Sequence, residues 1–457
     1  MPATYSYRQI WHIAYPVLIG TLMEQLIGLT DTAFLGRVGE VELGAAAIGG
    51  IFFVAIFMIG LGFSTGAQIL MARRNGEGNH MAVGHLFYHS LGFLLALAVV
   101  LFFLTRACSP WLLSHVLQSE HVCAAALDYL NARVFGFFFA FTAIMFRSFY
   151  VATTNTRMLT ANSLVLVASN IVFNYILIFG HCGMPALGIQ GAAIGSVLAE
   201  AVSMVYFIVY TCVKLDSRRY GLNRLPLLRL NSLMPVLRLS VWTMIQDFIS
   251  LSTWFIFFLS IEHLGETSLA VSNIIRNISS FPFMAIIALS STCTSLVSNQ
   301  IGRGDMDGVP VTISKTIRLT ALLIAPLLLI ASLVPEAVLR VFTDDSALIA
   351  AGIAPLYVLF ASYIFTIPSQ IYFHAVSGTG NTGRALVFEI ISLTFYTAFV
   401  FIVVFSLRAP LYVCWFSEFV YGVLSLALSY AYMRSDRWKH KRISVCNCTL
   451  AYYKTIL

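Results

Sequence analysis

Charge is what this sequence has least of. Of its 457 residues, 10% are Asp, Glu, Lys or Arg, against about 25% in soluble domains. So few charges cannot cover a water-facing surface, which excludes an ordinary soluble enzyme or binding module. The short alternating segments of a membrane barrel are missing too. The apolar runs are about 20–28 residues long, where barrel strands would need about 9–11. Catalytic signatures are also lacking: there is no Gly-x-Ser-x-Gly, no phosphate loop and no metal-ligand spacing, and His12, His85, His89 and His374 are scattered. Neither an enzyme nor a cofactor is expected. A cleavable signal peptide is not expected either, because the first apolar run is too long and lacks a small-residue cleavage site.

What the chain has in excess is hydrophobic residues, at 59%. A lipid-embedded chain must satisfy its backbone internally, so the expectation is an all-α polytopic membrane protein. Turn and charge signals divide it into twelve spans, near 10–35, 43–72, 85–107, 127–152, 160–180, 187–213, 236–261, 268–298, 316–342, 350–377, 384–407 and 410–433. The spans group as an N-lobe (1–213), a linker (214–235), a C-lobe (236–433) and a tail (434–457). The eight cysteines fall mostly inside apolar runs and read as small buried hydrophobes. Cys446 and Cys448 in the tail are a weak metal signal.

The net charge of +7 points to membrane topology rather than nucleic acid. Twenty of the 27 Lys and Arg residues fall on one set of loops and ends. The positive-inside rule places that set, with both termini, in the cytoplasm of a plasma-membrane protein. The bilayer and small organic molecules are the expected partners, and the chain is expected to be a monomer.

The two lobes are related by a repeat. "GEVELGAAAI" begins at Gly39 and "GETSLAVSNI" at Gly265, an offset of 226. Gly76 and Gly78 recur as Gly302 and Gly304, and Asn155 as Asn381, at the same offset. Each half holds an even number of spans, so the halves share one orientation, the arrangement of parallel repeats.

Carboxylates inside the first span need a reason. Glu24 and Asp31 are seven residues apart, two turns along one face. Intramembrane ionisable groups mark ion or proton pathways. The fifth span carries Asn170 and Asn174 at i, i+4, and the sixth carries Ser196 and Glu200 at the same spacing. Carboxylate, amide and hydroxyl oxygens are hard ligands for a small cation, and a desolvated carboxyl can instead carry a proton. The competing reading makes the amides and serine interhelical hydrogen-bonding glue. At the repeat positions of Glu24, Asp31, Asn170, Asn174 and Ser196 stand Ser250, Phe257, Tyr396, Val400 and Gly422. The polar set is not duplicated, which places the specialised site in the first half. Gln246 and Asp247 on the seventh span are further cavity candidates. Pro16 removes one helix hydrogen bond, so a kink is expected there.

Over almost its full length the chain resembles the multidrug and toxic compound extrusion (MATE) transporters. The resemblance is carried by "PVLIGTLMEQLIGLTDTAFLGRVG", "LGAAAIG", "NGEGN", "NTRMLTANSLVLVASNIVFNYILIFGHCGMPALGIQGAAIGS" and their second-half counterparts. It implies an antiporter that exports organic, often cationic, compounds against inward Na+ or H+ by alternating access. It also implies that Asp31, Asn170, Asn174 and Ser196 couple the cation, with Asp31, Asn170 and Asn174 as ligands if that cation is Na+. Some members use a seventh-span glutamate and a tenth-span aspartate, where this chain has Ser250 and Pro368. The alternative within the wider superfamily is a flippase for lipid-linked oligosaccharide or another amphipathic lipid. A large polar headgroup would call for more cationic residues within the spans.

Overall fold

The computed structural model describes residues 4–117, 119–223, 226 and 230–439. Cys446, Cys448 and five of the basic residues counted above (Arg224, Arg229, Lys441, Arg442 and Lys454) lie outside them. The described residues contain helices and no strands. Eleven helices are long and apolar enough to cross a membrane, and a bent pair supplies a twelfth span. The protein is therefore a multi-pass membrane protein.

The helices run α1 (Tyr7–Leu35), α2 (Glu40–Gly76), α3 (His80–Val116), α4 (Glu120–Arg133), α5 (Gly136–Ala152), α6 (Arg157–Phe179), α7 (Gly188–Lys214) and α8 (Leu230–Glu262). They continue with α9 (Glu266–Arg303), α10 (Gly308–Leu333), α11 (Pro335–Arg340), α12 (Ser346–Gly378), α13 (Thr382–Phe401), α14 (Leu411–Cys414) and α15 (Ser417–Arg434). A π-helical turn, Ile402–Ser406, closes α13.

By packing, the chain divides into two compact units. Among the described residues, one runs from Ile19 to Met244; the other joins those before Ile19 to those from Ile245 to Lys439. The dividing point in α1 falls just past Pro16, although the helix itself continues through that proline. In the first unit, Leu35, Tyr129, Leu130, Ile178 and Ala192 form an apolar core. In the second, a larger core gathers around Ile275, Ile286, Leu356 and Ile371.

The repeated motifs mark the same structural events in each unit. Gly39 and Gly265 precede α2 and α9. Gly78 (φ +75) and Gly304 (φ +79) turn the chain at the ends of those helices in the left-handed region that glycine alone enters freely. The repeat therefore preserves backbone conformations as well as hydrophobic length.

Three expected elements differ from the observed ones. The fourth span is not one helix: α4 and α5 meet at a 51° bend. The cause is visible at Gly136, where a Cβ would lie 2.1 Å from the Arg133 guanidinium and 2.6 Å from Glu200 Oε2. The backbone yields to a buried ion pair. The ninth span stops at Leu333, because Pro335 opens α11 and holds Val334 out of helical conformation (φ −132, ψ 52). The cysteines are less buried than expected: Cys293 and Cys414 are buried, whereas Cys108, Cys182 and Cys212 are exposed on helix faces or loops.

Candidate functional site

Three helices of the Ile19–Met244 unit assemble the site. Asp31 lies in the last turns of α1, Asn170 and Asn174 on one face of α6, and Ser196 on α7. The two asparagines are almost fully buried and Ser196 nearly so, at 1%, 0% and 7% exposure. Asn174 Nδ2 donates to Asp31 Oδ1 at 2.5 Å and to Asn170 Oδ1 at 3.2 Å. Asn170 Nδ2 donates to Ser196 Oγ at 3.2 Å, and Ser196 Oγ donates to Asp31 Oδ2 at 3.4 Å. The four side chains close a ring around one carboxyl group. Both Asp31 oxygens are occupied by neutral donors.

The ring depends on close helix approach. A Cβ at Gly195 would stand 2.2 Å from Asn174 Oδ1, so α6 and α7 reach this distance because position 195 has no side chain. Among the described residues Asn174 Oδ1 is buried with no hydrogen-bond partner, an uncompensated acceptor of the kind that is costly in an apolar setting. Deeper along the same helix pair, Ser203 Oγ donates to Asn162 Oδ1 at 3.0 Å. That second link is the glue expected between membrane helices, and it involves no charge.

The other expected residues fall into separate arrangements. Glu24 is bonded to Arg147 at 2.9 Å, and its side chain is 56% exposed. Glu200 forms a two-pronged pair with Arg133, at 2.9 and 2.5 Å. The Arg133 guanidinium sits 3.7 Å from the centre of the Phe53 ring. Gln246 and Asp247 belong to the other unit, on α8 near Ser250. Ser250 Oγ donates there to Glu389 Oε1 at 2.7 Å, and Tyr421 donates to Glu389 Oε2 at 3.0 Å. Gln370 Nε2 donates to the Tyr421 hydroxyl at 3.4 Å.

Arg133 was missed by sequence reasoning, as was the grouping of Ser250, Glu389, Gln370 and Tyr421. The signal for Arg133 was present: an arginine within an apolar run requires a carboxylate at similar depth, and Glu200 supplies one. In the second-half group only Ser250 has an ionisable repeat partner, Glu24; Glu389, Gln370 and Tyr421 stand opposite Ser163, Ile144 and Gly195, which gave no signal. The repeat position of Asp31 is Phe257, which packs against Tyr396 at 6.1 Å and Trp415 at 5.3 Å between ring centres. The first-half ring is thus replaced by an aromatic contact.

Comparison with known proteins agrees with this architecture. The sequence profile of the MatE family matches residues 16–176 and again 243–404. The chain belongs to the MatE (MATE) transporter family. The family profile matches each half once, close to the 226-residue offset read from the sequence. The chain is 24% identical over 438 residues to the probable multidrug resistance protein NorM of Thermotoga maritima, covering 95% of this chain and 94% of that one. Its fold is similar to that of a multidrug resistance MATE family transporter of the MOP superfamily solved in an outward-facing conformation. That match has a TM-score of 0.87, 18% identity and coverage of 95% and 97%. A MOP superfamily transporter from Pyrococcus furiosus, described as having a binding pocket of reversed polarity, matches with a TM-score of 0.85, 17% identity and the same coverage.

Proposed function

We propose that this MATE transporter exports organic, often cationic, compounds in exchange for inward Na+ or H+, by alternating access. The observation that carries the reading is the buried ring of Asn170, Asn174 and Ser196 around Asp31. Asp31 is the one acidic group of this ring, its direct hydrogen bonds all come from neutral donors, and the nearby Arg133 is committed to Glu200, so a mobile cation can complete it. Turning the Asn174 amide about its last torsion presents its unpartnered Oδ1 toward Asp31. Asp31, Asn170, Asn174 and Ser196 would then offer the oxygens that Na+ prefers, or an acceptor for a protonated carboxyl.

The coupling follows from unequal binding. The cation binds the outward-open form better, and that form holds the organic compound less well. Cation binding from outside therefore releases the exported compound, and cation release inside resets the cycle. Pro16 and the division of α1 near Leu18 mark where the first helix can hinge. Both termini face the cytoplasm in this scheme. In the interior of the Ile19–Met244 unit, Arg133 and Arg147 are each paired with a glutamate, which leaves neither available to an anionic headgroup there and supports export of organic compounds over lipid-linked sugar transport.

The test is dye efflux from membrane vesicles under Na+ and pH gradients imposed separately. The native chain is expected to respond to one of the two gradients. Asp31→Asn is expected to insert normally and to lose gradient-driven efflux. Undiminished efflux in that variant refutes the assignment.

A further inference from the structure

Two arginines flank the bend in the fourth span, and they have opposite fates. Arg133 turns inward to Glu200. Arg106, on α3, remains at the surface of the same unit, with its guanidinium 5.6 Å from the Phe102 ring centre and 6.0 Å from that of Phe135. Among the described residues no carboxylate pairs with it. Its neighbours Phe103 and Leu104 are exposed, so the cation stands in an otherwise apolar surface. Aromatic faces orient a guanidinium, but they leave its N–H donors without acceptors.

The depth of Arg106 in the membrane follows from helix length. The 37 residues of α3 span about 55 Å, against a hydrocarbon core of about 30 Å. Arg106 lies about 15 Å before the end of α3. The surplus length places it near the edge of the hydrocarbon, where lipid phosphates lie.

Phe135 also forms one wall of a groove of about 370 Å³, lined by Ala132 and Phe139 of the bent span and by Ile194, Val197 and Leu198 of α7. The lining is apolar. The groove lies at the point where α4 and α5 diverge by 51°, since Ala132, Phe135 and Phe139 straddle that bend. An unpaired cation at the hydrocarbon edge and an apolar channel thus meet at one aromatic ring.

We infer that this is a binding site for one anionic glycerophospholipid, with its phosphate on Arg106 and one acyl chain in the groove. A guanidinium fork matches phosphate oxygens and makes charge-assisted hydrogen bonds to them. The chain lies against Ile194, Val197 and Leu198, on the helix whose Ser196 and Glu200 belong to the buried polar groups. It also lies against Ala132, next to Arg133. The lipid therefore braces the bend that presents Arg133 to Glu200. The site stands on its own geometry and does not depend on the coupling ion or the exported compound.

The experiment is native mass spectrometry of the purified full-length protein in detergent, titrated with phosphatidylglycerol and, separately, phosphatidylcholine. One phosphatidylglycerol per chain is expected to bind in preference to phosphatidylcholine. Arg106→Gln is expected to weaken phosphatidylglycerol binding about fivefold, the worth of one basic residue at a membrane surface. Leu198→Trp, which fills the groove from an exposed position, is expected to weaken it by a similar factor. Arg340→Gln removes an exposed arginine from the other unit and is expected to leave binding unchanged. Native-strength binding in either Arg106→Gln or Leu198→Trp overturns the two-point attachment. Equal binding of the two lipids overturns the requirement for an anionic headgroup. A dimer that disappears in Leu198→Trp places a second copy of the chain in the groove and overturns the lipid assignment.

Discussion

The fourth span of one unit is bent at Arg133–Gly136, whereas its counterpart in the other, α12, runs unbroken through 33 residues. The acids differ in the same way. In the Ile19–Met244 unit, Glu24 and Glu200 each face an arginine, and Asp31 is held by neutral donors. In the other unit, Glu389 faces the hydroxyls of Ser250 and Tyr421, and Glu418 accepts from Tyr396 at 3.5 Å. Internal duplication kept the order of the spans and the glycine turns, while the polar interior diverged. One half carries fixed ion pairs beside an aspartate whose direct hydrogen-bond partners are all neutral. The other carries carboxyl groups bonded to neutral hydroxyls.

The largest way to break this contrast is to remove one partner of the buried pair. Arg133→Ala leaves Glu200 without its cation and is expected to cost about 3–5 kcal/mol, read as a fall in Tm of the detergent-solubilised protein. The double substitution Arg133→Met with Glu200→Met should recover most of that loss, because neither charge is then stranded. A single variant as stable as the native chain would remove the reason given for the bend.

A smaller effect is expected at Gly195. An added methyl meets Asn174 Oδ1, so Gly195→Ala should cost about 1–3 kcal/mol by overpacking. It should also reduce gradient-driven efflux by displacing Asn174 from Asp31. Stability lost without efflux lost would separate helix packing from the ring. In the other unit, Ser250→Ala removes a single donor to Glu389 and is expected to cost about 1.5 kcal/mol, with efflux retained. The smallest effect belongs to the exposed pair. Glu24→Gln should change stability by no more than about 1 kcal/mol, measured by the same thermal shift.

Much of this was legible in the sequence, for identifiable reasons. Apolar run length gave the spans, since lipid imposes it on every helix. The i, i+4 spacing of Asn170 and Asn174, and the place of Ser196 one helix later, grouped three residues that the fold does join to Asp31. Arg133 escaped because its partner is 67 residues away and the bend that unites them leaves no turn signal beyond Gly136. Arg147 likewise bonds to Glu24 across 123 residues, a pairing that no local spacing announces. Glu389 escaped because comparing repeat positions reveals only what the first half already shows. The cysteines were misjudged because an apolar run does not say which face meets lipid and which meets protein.

The most direct measurement of the central claim is cation movement driven by the exported compound. In proteoliposomes holding purified protein and no initial ion gradient, a gradient of the organic compound should drive either Na+ or H+ in the opposite direction. The native chain and Glu389→Gln should both show that movement, and Asp31→Asn should show none. Cation flux that survives loss of the Asp31 carboxylate but vanishes in Glu389→Gln would move the coupling site to the other unit and contradict the account.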